Sequence, residues 1–439
     1  MKRRETTSRG GRWTALACAA LLVALAGCAR RSDRASSGAG AVATPSNDAR
    51  PVSLSAEPVR LSAADADGAE PATAAGRDGS VYVAWVEHRP EQKADVMLAR
   101  FDGEGRMRGA PQRVNAEAGA ATAWRGDPPT VAVAPDGGVY VGWTARVKSE
   151  SGQAADLYLS ASRDGGQTFA AAVKVNDDAR PAARGMHSLA VGADGRVYLA
   201  WLDERNVAQP QPSAQAGGHH MESNREVFMT SSADGGRTFA PNLRVATEAC
   251  PCCKTSLAAA PDNRLYVSWR QVLPDNYRHI AVASTTDGGR TFSQPVIVSD
   301  DRWQLEGCPV SGSALALGAD GALRVLWFSA GEAGATGLYW SESRDGGRTF
   351  SPRRLFSDGQ AYGTPVLLAS GERLTAVWGM SAGGATRLMT GQLDGAGRVT
   401  TNAGAAGGEL PSAAAANGGL VISYTSKSGE RRAVWLARV

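Results

Sequence analysis

The 439-residue chain has no apolar run of the roughly 20 residues that a membrane-spanning helix needs. Its longest apolar run, residues 13–27, is too short for that role. Aromatic residues make up only 6%, and charged residues 21%, beside 43% apolar residues. This composition excludes a polytopic membrane protein and a disordered chain, and it favours a folded globular core. Histidine (5) and cysteine (6) are scarce, so the positions at which they occur are informative.

The chain also lacks an excess of either charge once its N-terminus is set aside. Lysine and arginine number 47 and the acidic residues 43, but residues 1–27 hold five of the basic residues and one of the acidic ones. The remainder therefore carries 42 of each and is formally neutral. Because the remaining chain has no excess of positive charge to attract phosphates, we expect no nucleic-acid partner.

The N-terminus is typical of an export signal, with basic residues 2–4 ahead of the apolar run 13–27. Residues 25–28, Leu-Ala-Gly-Cys, resemble the lipobox of bacterial lipoproteins. The resemblance implies that residues 1–27 are a signal peptide and that Cys28 is lipidated. Residues 28–55 are rich in small and polar residues, which predicts a flexible tether. We therefore expect an exported protein that is lipid-anchored to a bacterial membrane, either at the outer membrane facing the periplasm or at the cell surface.

Residues 56–439 show no sustained helical periodicity, and short β-type runs alternate there with Asp-Gly, Gly-Gly and Pro-Asp turns. One run that ends in an aromatic residue recurs seven times and numbers the units used below. Its copies are VYVAW (81–85), VYVGW (139–143), VYLAW (197–201), LYVSW (265–269), LRVLW (323–327), LTAVW (374–378) and LVISY (420–424). Each copy has an apolar run before it and another after it, and the first six units add a short fourth run. Four strands in about 55 residues are typical of a β-propeller blade.

We predict an all-β fold over residues 56–439, a β-propeller of seven four-stranded blades, with six blades as the alternative. The seventh unit reaches only its third run at Val439. Residues 58–61, Pro-Val-Arg-Leu, precede the first unit and supply the missing strand. We expect this N-terminal strand to pair with the C-terminal unit, which closes the ring and removes two open sheet edges.

Four units carry the same turn, S/T-x-D-G-G-x-T-F, after their third run. Its aspartates are Asp164, Asp234, Asp287 and Asp345, and degenerate copies contain Asp102 and Asp394. In such a hairpin the carboxylate accepts hydrogen bonds from turn amides, and glycine takes the positive φ that the turn requires. We therefore expect a structural role for the four aspartates.

This turn resembles the Asp box, or BNR repeat, of sialidases and related propellers, over roughly residues 57–439. In that family the boxes lie on the rim opposite the active face, and catalysis needs an arginine triad, a Tyr–Glu pair and an acidic residue. The resemblance implies a sialidase-like glycoside hydrolase as one possible activity. The candidate residues near strand starts are Arg125, Arg184, Tyr362 and Glu409. The family's Arg-Ile-Pro motif is missing, since the first unit opens with residues 70–73, Glu-Pro-Ala-Thr, so the sequence leaves open whether the chain is an enzyme.

In a propeller the inner strands begin at one end of the central channel, and the Asp boxes lie at the other end. The scarce metal-ligating residues fall at the first end. They are Cys250, Cys252 and Cys253 in the fourth unit, Cys308 in the fifth, His187 in the third, and His219, His220 and Met221 in an extended loop of the third. Cys250 and Cys308 each stand 19 residues before their unit's tryptophan, so they occupy equivalent positions in neighbouring units.

Three interpretations of this group stay open. Thiolate, imidazole and thioether ligands suit Cu(I) first and Zn(II) second. An exported protein also meets an oxidising compartment, in which four cysteines can form two disulfides. The third interpretation is that the cysteines fill the narrow channel as small apolar side chains.

We therefore predict a monomeric, lipid-anchored propeller that binds a ligand at the channel mouth, with copper before zinc as the ligand. The alternatives are a sialidase-like hydrolase acting on a glycan, and a scaffold for a periplasmic protein partner.

Overall fold

The computed structural model describes residues 57–90, 93–122, 127–149, 153–207, 223–370, 373–395 and 397–439. These residues contain no α-helix, and the predicted all-β class is confirmed. No helix in this part of the chain has the length and hydropathy to cross a bilayer. The predicted signal peptide (1–27), the tether (28–55) and Cys28 lie outside the described residues. So do four candidate site residues, Arg125, His219, His220 and Met221.

Strands make up most of the described part, and one short 3-10 turn (Pro274–Asn276) interrupts them. In chain order the strands are β1 (Val59–Arg60), β2 (Asp67–Ala75), β3 (Val81–His88), β4 (Ala94–Phe101), β5 (Gln112–Arg113), β6 (Thr130–Val133), β7 (Val139–Arg146), β8 (Ala155–Ser162), β9 (Val173–Lys174), β10 (Arg184–Val191), β11 (Val197–Asp203), β12 (Arg225–Ser232), β13 (Leu243–Ala249), β14 (Ser256–Ala259), β15 (Leu265–Leu273), β16 (Tyr277–Thr285), β17 (Val296–Ile297), β18 (Ser313–Leu317), β19 (Leu323–Ser329), β20 (Gly337–Ser343), β21 (Arg354–Asp358), β22 (Ala361–Ser370), β23 (Arg373–Ala382), β24 (Ala385–Leu393), β25 (Val399–Ala406), β26 (Gly408–Ala416), β27 (Gly419–Ser428) and β28 (Arg431–Arg438).

The strands pair antiparallel with their neighbours in the chain, unit by unit. Four separate sheets contain β2–β5, β6–β9, β18–β21 and β22–β25. Strands β10–β17 form one eight-stranded sheet, in which Ala249 pairs with Gln271 and so joins the third unit to the fourth. The last sheet contains β26, β27, β28 and β1, with Val59 opposite Leu436. The N-terminal strand therefore pairs with the C-terminal unit.

The repeated aromatic run forms the second strand of each unit, and it is buried along nearly its whole length. Trp85, Trp201, Trp269 and Trp327 are each 0% exposed. These strands lack the apolar–polar alternation of a half-exposed sheet because both of their faces are covered. One apolar cluster, for example, combines residues of the second and third units, among them Leu159 and Trp201. Apolar burial between neighbouring sheets thus holds the units together.

The first strands of the units also contact one another in order, from β2 to β6, β10, β14, β18, β22 and β26, and β26 contacts β2. A cavity of about 450 Å³ lies among these strands. Its lining includes residues from all seven units, such as Thr73, Thr130, Ser188, Thr364 and Ser412. The fold therefore gathers residues of every first strand around one central space.

The geometry that the four aspartate turns share is clearest at Asp164. One carboxylate oxygen accepts hydrogen bonds from the amides of Gln167 (2.8 Å) and Thr168 (2.9 Å), and the other accepts the Thr168 hydroxyl (2.6 Å). These bonds, the hydroxyl bond first, lower the pKa of Asp164 below its usual value. Gly165 and Gly166 follow with φ of 70° and 77°, which favours glycine. Equivalent contacts hold the turns at Asp234, Asp287 and Asp345.

Candidate functional site

Three thiols of the fourth unit meet in the turn between β13 and β14. The Sγ atoms of Cys250, Cys252 and Cys253, called the thiol cluster below, all lie within 4.8 Å of one another. The Cys250 and Cys252 sulfurs are 3.8 Å apart, far beyond the roughly 2.05 Å of a disulfide bond. A hydrogen bond from the Cys253 amide to the Cys250 carbonyl (3.4 Å) closes the turn. This tight turn lets residues so close in sequence face the same space.

Cys308 approaches the thiol cluster from the fifth unit. It is exposed, whereas Cys250 and Cys253 are almost completely buried and Cys252 is 9% exposed. Its thiol is near enough to act on the acidity of Cys250 and Cys252. Cys250 and Cys308, which each stand 19 residues before their unit's tryptophan, are thus brought together.

The thiols divide into one acidic group and two weakly acidic ones. Hydrogen bonds from the neighbouring thiols, Cys252 first, hold the pKa of Cys250 well below its usual value. The contact with Cys250 raises the pKa of Cys252, and burial raises that of Cys253. One negative charge is therefore best placed on Cys250, where its neighbours' S–H groups and a nearby arginine stabilise it.

That arginine is Arg270, which follows the repeated tryptophan of β15 and is 0% exposed. Its carbonyl accepts a hydrogen bond from the Cys250 amide (2.8 Å). Its guanidinium donates to the carbonyls of Ser311 and Phe328 (3.0 Å each) and stacks on the Trp303 ring at 4.8 Å. In the described part of the chain its hydrogen-bond acceptors are all backbone carbonyls. The buried positive charge therefore faces thiols, with no carboxylate hydrogen-bonded to it there.

The thiol cluster and the aspartate turn of its unit lie at opposite ends of the same strands. Leu265, the first residue of β15, pairs with Thr285, which begins the turn at Asp287. Near the other end of β15, the Arg270 carbonyl accepts the hydrogen bond from the Cys250 amide. In the fourth unit the thiols are therefore on the side away from the aspartate turn, as expected from the sequence.

The central cavity reaches the thiol cluster through Cys252, which forms part of its wall. Lys254 supplies the charged side chain of the described lining. Burial lowers the pKa of Lys254 to about 8, although the negative charge of Asp127 opposes this shift. Its Nζ donates a long hydrogen bond to the Pro128 carbonyl (3.5 Å). The cavity wall thus presents one thiol and one ammonium group among hydroxyls and apolar residues.

His187 is buried beside a carboxylate instead of within the thiol cluster. Its Nδ1 is 3.4 Å from Asp127 Oδ1. That carboxylate oxygen accepts a hydrogen bond from the Met186 amide (2.9 Å). Burial raises the pKa of Asp127, but its contact with His187 and the charge of Lys254 outweigh burial, so the net shift is downward. The structure therefore brings together Asp127, His187 and Lys254, a group that the sequence did not predict.

Arg184, one candidate for a substrate-binding triad, is fully engaged inside the fold. Its guanidinium contacts Asp178 (2.7 Å), Asp203 (3.1 Å) and Asp156 (3.2 Å), and it is buried. Further hydrogen bonds join it to backbone carbonyls, including that of Arg180 (2.9 Å). These contacts use its donors, so the residue holds neighbouring units together and presents no free edge to a ligand.

The structure does bring the other two described candidates to one place. Tyr362 is half-buried, and its hydroxyl donates to the carbonyl of Gly408 at 2.9 Å. Glu409, also half-buried, is the next residue, and its charge acts on Arg432. A tyrosine and a glutamate from the sixth and seventh units are therefore neighbours near the starts of β22 and β26.

The sequence marks Arg270 and His187 as unusual when the units are compared position by position, although neither belongs to a repeated motif. The residue after the repeated aromatic is Val86, Thr144 or Leu202 in the first three units, so an arginine at position 270 is an outlier. Four units have proline (71, 129, 365 and 411) at the first-strand position that His187 occupies in the third. Asp127 had no such signal, because only the folded chain shows that it faces His187.

A family model described as a BNR repeat-like domain matches residues 79–375, more than half of the chain. No curated protein matches this chain in sequence. Among solved structures, an ulvan lyase of polysaccharide lyase family PL25 is 12% identical, with 87% of this chain and 96% of that chain covered and a TM-score of 0.55. A Dyadobacter fermentans protein of unknown function is 12% identical, with 89% and 98% covered and a TM-score of 0.50. A variant of the NanB sialidase from Streptococcus pneumoniae is 10% identical, with 82% and 83% covered and a TM-score of 0.48. At these identities the likeness shows the fold alone.

Proposed function

The chain belongs to the BNR repeat-like domain family, and from this premise we propose that it is a seven-bladed β-propeller that binds a soft metal ion through its thiol cluster. The proposed architecture is supported by the seven repeats of the aromatic run and by the order in which the first strands contact one another, from β2 round to β26 and back. The pairing of β1 with β28 supports the proposed closure.

The observation that carries the metal proposal is the convergence of three thiols within 4.8 Å. A metal–sulfur bond of about 2.3 Å places two sulfurs of a tetrahedral site about 3.8 Å apart. The Cys250–Cys252 separation of 3.8 Å fits that spacing. Sulfur donors select Cu(I) and Zn(II) over the hard cations, which prefer oxygen. The donor set in the described residues therefore fits a soft ion.

Copper comes before zinc because of the number of thiols that are already gathered. Three thiolates satisfy Cu(I), whereas a structural zinc site takes four ligands. Cys308 would supply the fourth ligand, and its exposure makes it the ligand that approaches last. The metal would hold the sulfurs together as thiolates, and the chain's own contribution is to position and desolvate them.

Competition for Cu(I) with the chelator bicinchoninate, on reduced protein under anaerobic conditions, tests the proposal. We expect one equivalent to bind and Cys252→Ser to weaken binding at least about tenfold. Ser256→Ala changes a cavity residue that carries no thiol, so it is the matched control and keeps wild-type affinity. Absence of binding, or equal affinity of Cys252→Ser and the control, would contradict a thiolate metal site.

A sialidase-like hydrolase is the second candidate function, favoured by the contact of Tyr362 with the residue before Glu409. The occupied guanidinium of Arg184 and the missing Arg-Ile-Pro motif speak against it. Hydrolysis of a fluorogenic sialoside that Tyr362→Phe abolishes would support this function. No hydrolysis by the wild-type protein would remove it.

We also propose that the chain is exported and anchored through lipidated Cys28, on the strength of residues 25–28 and the apolar run before them. Mass spectrometry of the membrane-extracted protein should find acyl chains on an N-terminal Cys28. The Cys28→Ala variant should lose them and leave the membrane fraction, while a variant that stays membrane-bound would contradict the anchor.

A further inference from the structure

We propose that two buried arginines, Arg270 and Arg278, act as the counter-charge of the metal-loaded thiol cluster and select metals whose thiolate complexes are dianionic. The inference rests on the proposed metal function and deepens it, because it names the class of ion that the site accepts. It concerns residues of the chain that are not themselves ligands.

Both guanidinium groups lie on the sheet face that the thiols cover. The register of β15 and β16 pairs Val272 with Arg278 and Arg270 with Ile280. Paired residues share a face, and residues two apart in a strand share it too, so Arg270, Val272 and Arg278 lie on the same side. Val272 packs with the three cysteines of the cluster in one buried group. The thiol cluster therefore rests on a face that carries two positive charges.

The two arginines differ from other buried arginines of the chain in their partners. Arg225, which donates to the carbonyl of Pro251 (3.0 Å) inside the same turn, is paired with Glu204 (2.7 Å). Arg184 has three carboxylate partners. Within the described residues, Arg270 and Arg278 donate only to backbone carbonyls.

Arg278 is the less satisfied of the two. It is 2% exposed, and its Nε and Nη1 atoms have no hydrogen-bond partner among the described residues. A buried guanidinium without an anion is costly, because it has lost water and gained no opposite charge. The anion that this face can acquire is the thiol cluster itself, once its sulfurs are thiolates.

Charge arithmetic then separates the metals. Cu(I) with three thiolates carries a charge of −2, and Zn(II) with four thiolates also carries −2. Trivalent arsenic bound by thiolates is neutral, since each thiolate cancels one of its positive charges. Two fixed guanidinium charges stabilise the first class and do nothing for the second. Lys254 is not counted with the two arginines as counter-charge of the thiol cluster, because the negative charge of Asp127 already interacts with its ammonium group.

The test compares two probes on the same protein. Cu(I) affinity is measured by bicinchoninate competition, and thiol access is measured with phenylarsine oxide, which forms a neutral complex with two thiols and releases water. We expect Arg278→Met to weaken Cu(I) binding at least about tenfold, an effect typical of removing one partner of a buried charge pair. Binding of phenylarsine oxide should stay within about twofold of wild type, a change of less than half a kcal/mol.

Three further variants guard against a trivial loss of folding. Arg270→Lys keeps the charge and should retain most of the Cu(I) affinity, whereas Arg270→Met should lose it. Arg264→Met removes an arginine at the aspartate-turn end of β15, beside Asp262, and should change neither probe. Circular dichroism before each titration verifies the fold.

The outcomes are distinct. Loss of Cu(I) affinity with retained arsenical binding supports the inference. Equal Cu(I) affinity of Arg278→Met, Arg270→Met and wild type overturns it while leaving the proposed metal function intact. Parallel loss of both probes also overturns it, since the arginines then only shape the turn. A wild-type protein that binds the arsenical but not Cu(I) overturns the proposed function and this inference together.

Discussion

Replacing Arg184 by methionine removes a guanidinium that joins two neighbouring units of the fold. Arg184 opens β10 in the third unit. Two of its carboxylate partners precede it in the chain, Asp156 in β8 of the second unit and Asp178 between β9 and β10. Its third partner, Asp203, is 0% exposed and lies at the end of β11. The substitution therefore tests whether the residue is a structural link.

The size of the stability loss depends on which partners each carboxylate retains after Arg184 is removed. Asp203 retains the Arg205 guanidinium (2.8 Å) and the Trp201 ring nitrogen (2.7 Å), and Asp156 retains Lys174 (3.1 Å). Removing one partner of a buried ion pair costs about 3–5 kcal/mol when the other is left alone. Because these carboxylates keep partners, we expect the lower end, a loss of about 3 kcal/mol in the free energy of unfolding.

Urea unfolding followed by tryptophan fluorescence measures that loss. Arg184→Lys is the informative companion, because an ammonium reaches one carboxylate where the fork reaches three, so its loss should be intermediate. A decrease below about 1 kcal/mol for Arg184→Met would refute the reasoning, since that is the value of an exposed ion pair. Arg184→Met should not change sialoside turnover or binding, because the carboxylates of the fold already occupy the Arg184 guanidinium.

Two further predictions concern other parts of the fold. Asp67 in β2 is hydrogen-bonded and ion-paired to Arg432 in β28, and these hydrogen bonds, that from the side chain first, lower its pKa. A carboxylate whose pKa is lowered by folding stabilises the fold at pH values above its unfolded-state pKa, and this stabilisation is lost as the pH falls through its folded-state pKa. Asp67→Asn should therefore lower the free energy of unfolding by about 1 kcal/mol near neutral pH and by progressively less below about pH 4. An equal loss near neutral pH and below pH 4 would contradict this. Gly142→Ala would place a Cβ 2.7 Å from the Thr130 hydroxyl and 3.6 Å from His187 Nε2. Thermal unfolding should therefore show a loss of about 1–3 kcal/mol in stability from overpacking. A Cβ at Gly195 would meet no atom of the described residues within 4 Å, so Gly195→Ala, at a φ of 79°, would act through the backbone alone.

The strand pattern could be predicted because the repeat supplies it seven times. Each copy of the aromatic run forms a second strand, and the turns at Asp164 and its equivalents follow third strands. Equal offsets from the tryptophan placed Cys250 and Cys308 at equivalent positions in adjacent units, and in the structure the Cys308 thiol helps to lower the pKa of Cys250. Repetition converts one local signal into a statement about tertiary contacts.

Side-chain direction was harder to predict, because these strands are buried on both faces and show no polar alternation. The sequence placed His187 among the thiol ligands, but the described structure places its ring beside Asp127. Arg270 was passed over for the same reason, since a buried strand gives no hint of which face carries a charge. Whether Arg125, His219, His220 or Met221 takes part stays a prediction, as these residues lie outside the described part.

The location of the thiol cluster has a cause in the backbone. In the first, third, sixth and seventh units the pairing of the first two strands shifts register near its start, as between Ala69 and Ala72. Such bulges re-aim side chains toward the site that they border. In the fourth unit β14 begins only at Ser256, and residues 250–255 form a turn outside the ladder.

Pairing on either side holds this turn in place. Ala249 pairs with Gln271, the contact that joins two units into one eight-stranded sheet, and the Cys250 amide extends it by bonding to the Arg270 carbonyl. At the other end of the turn, Thr255 donates through its amide to the Met186 carbonyl of the third unit (3.0 Å). Residues that carry no strand pairing are thus fixed at both ends. A segment so held can present several thiols at short range without disturbing the sheets, which explains why the cluster lies here and not within a strand.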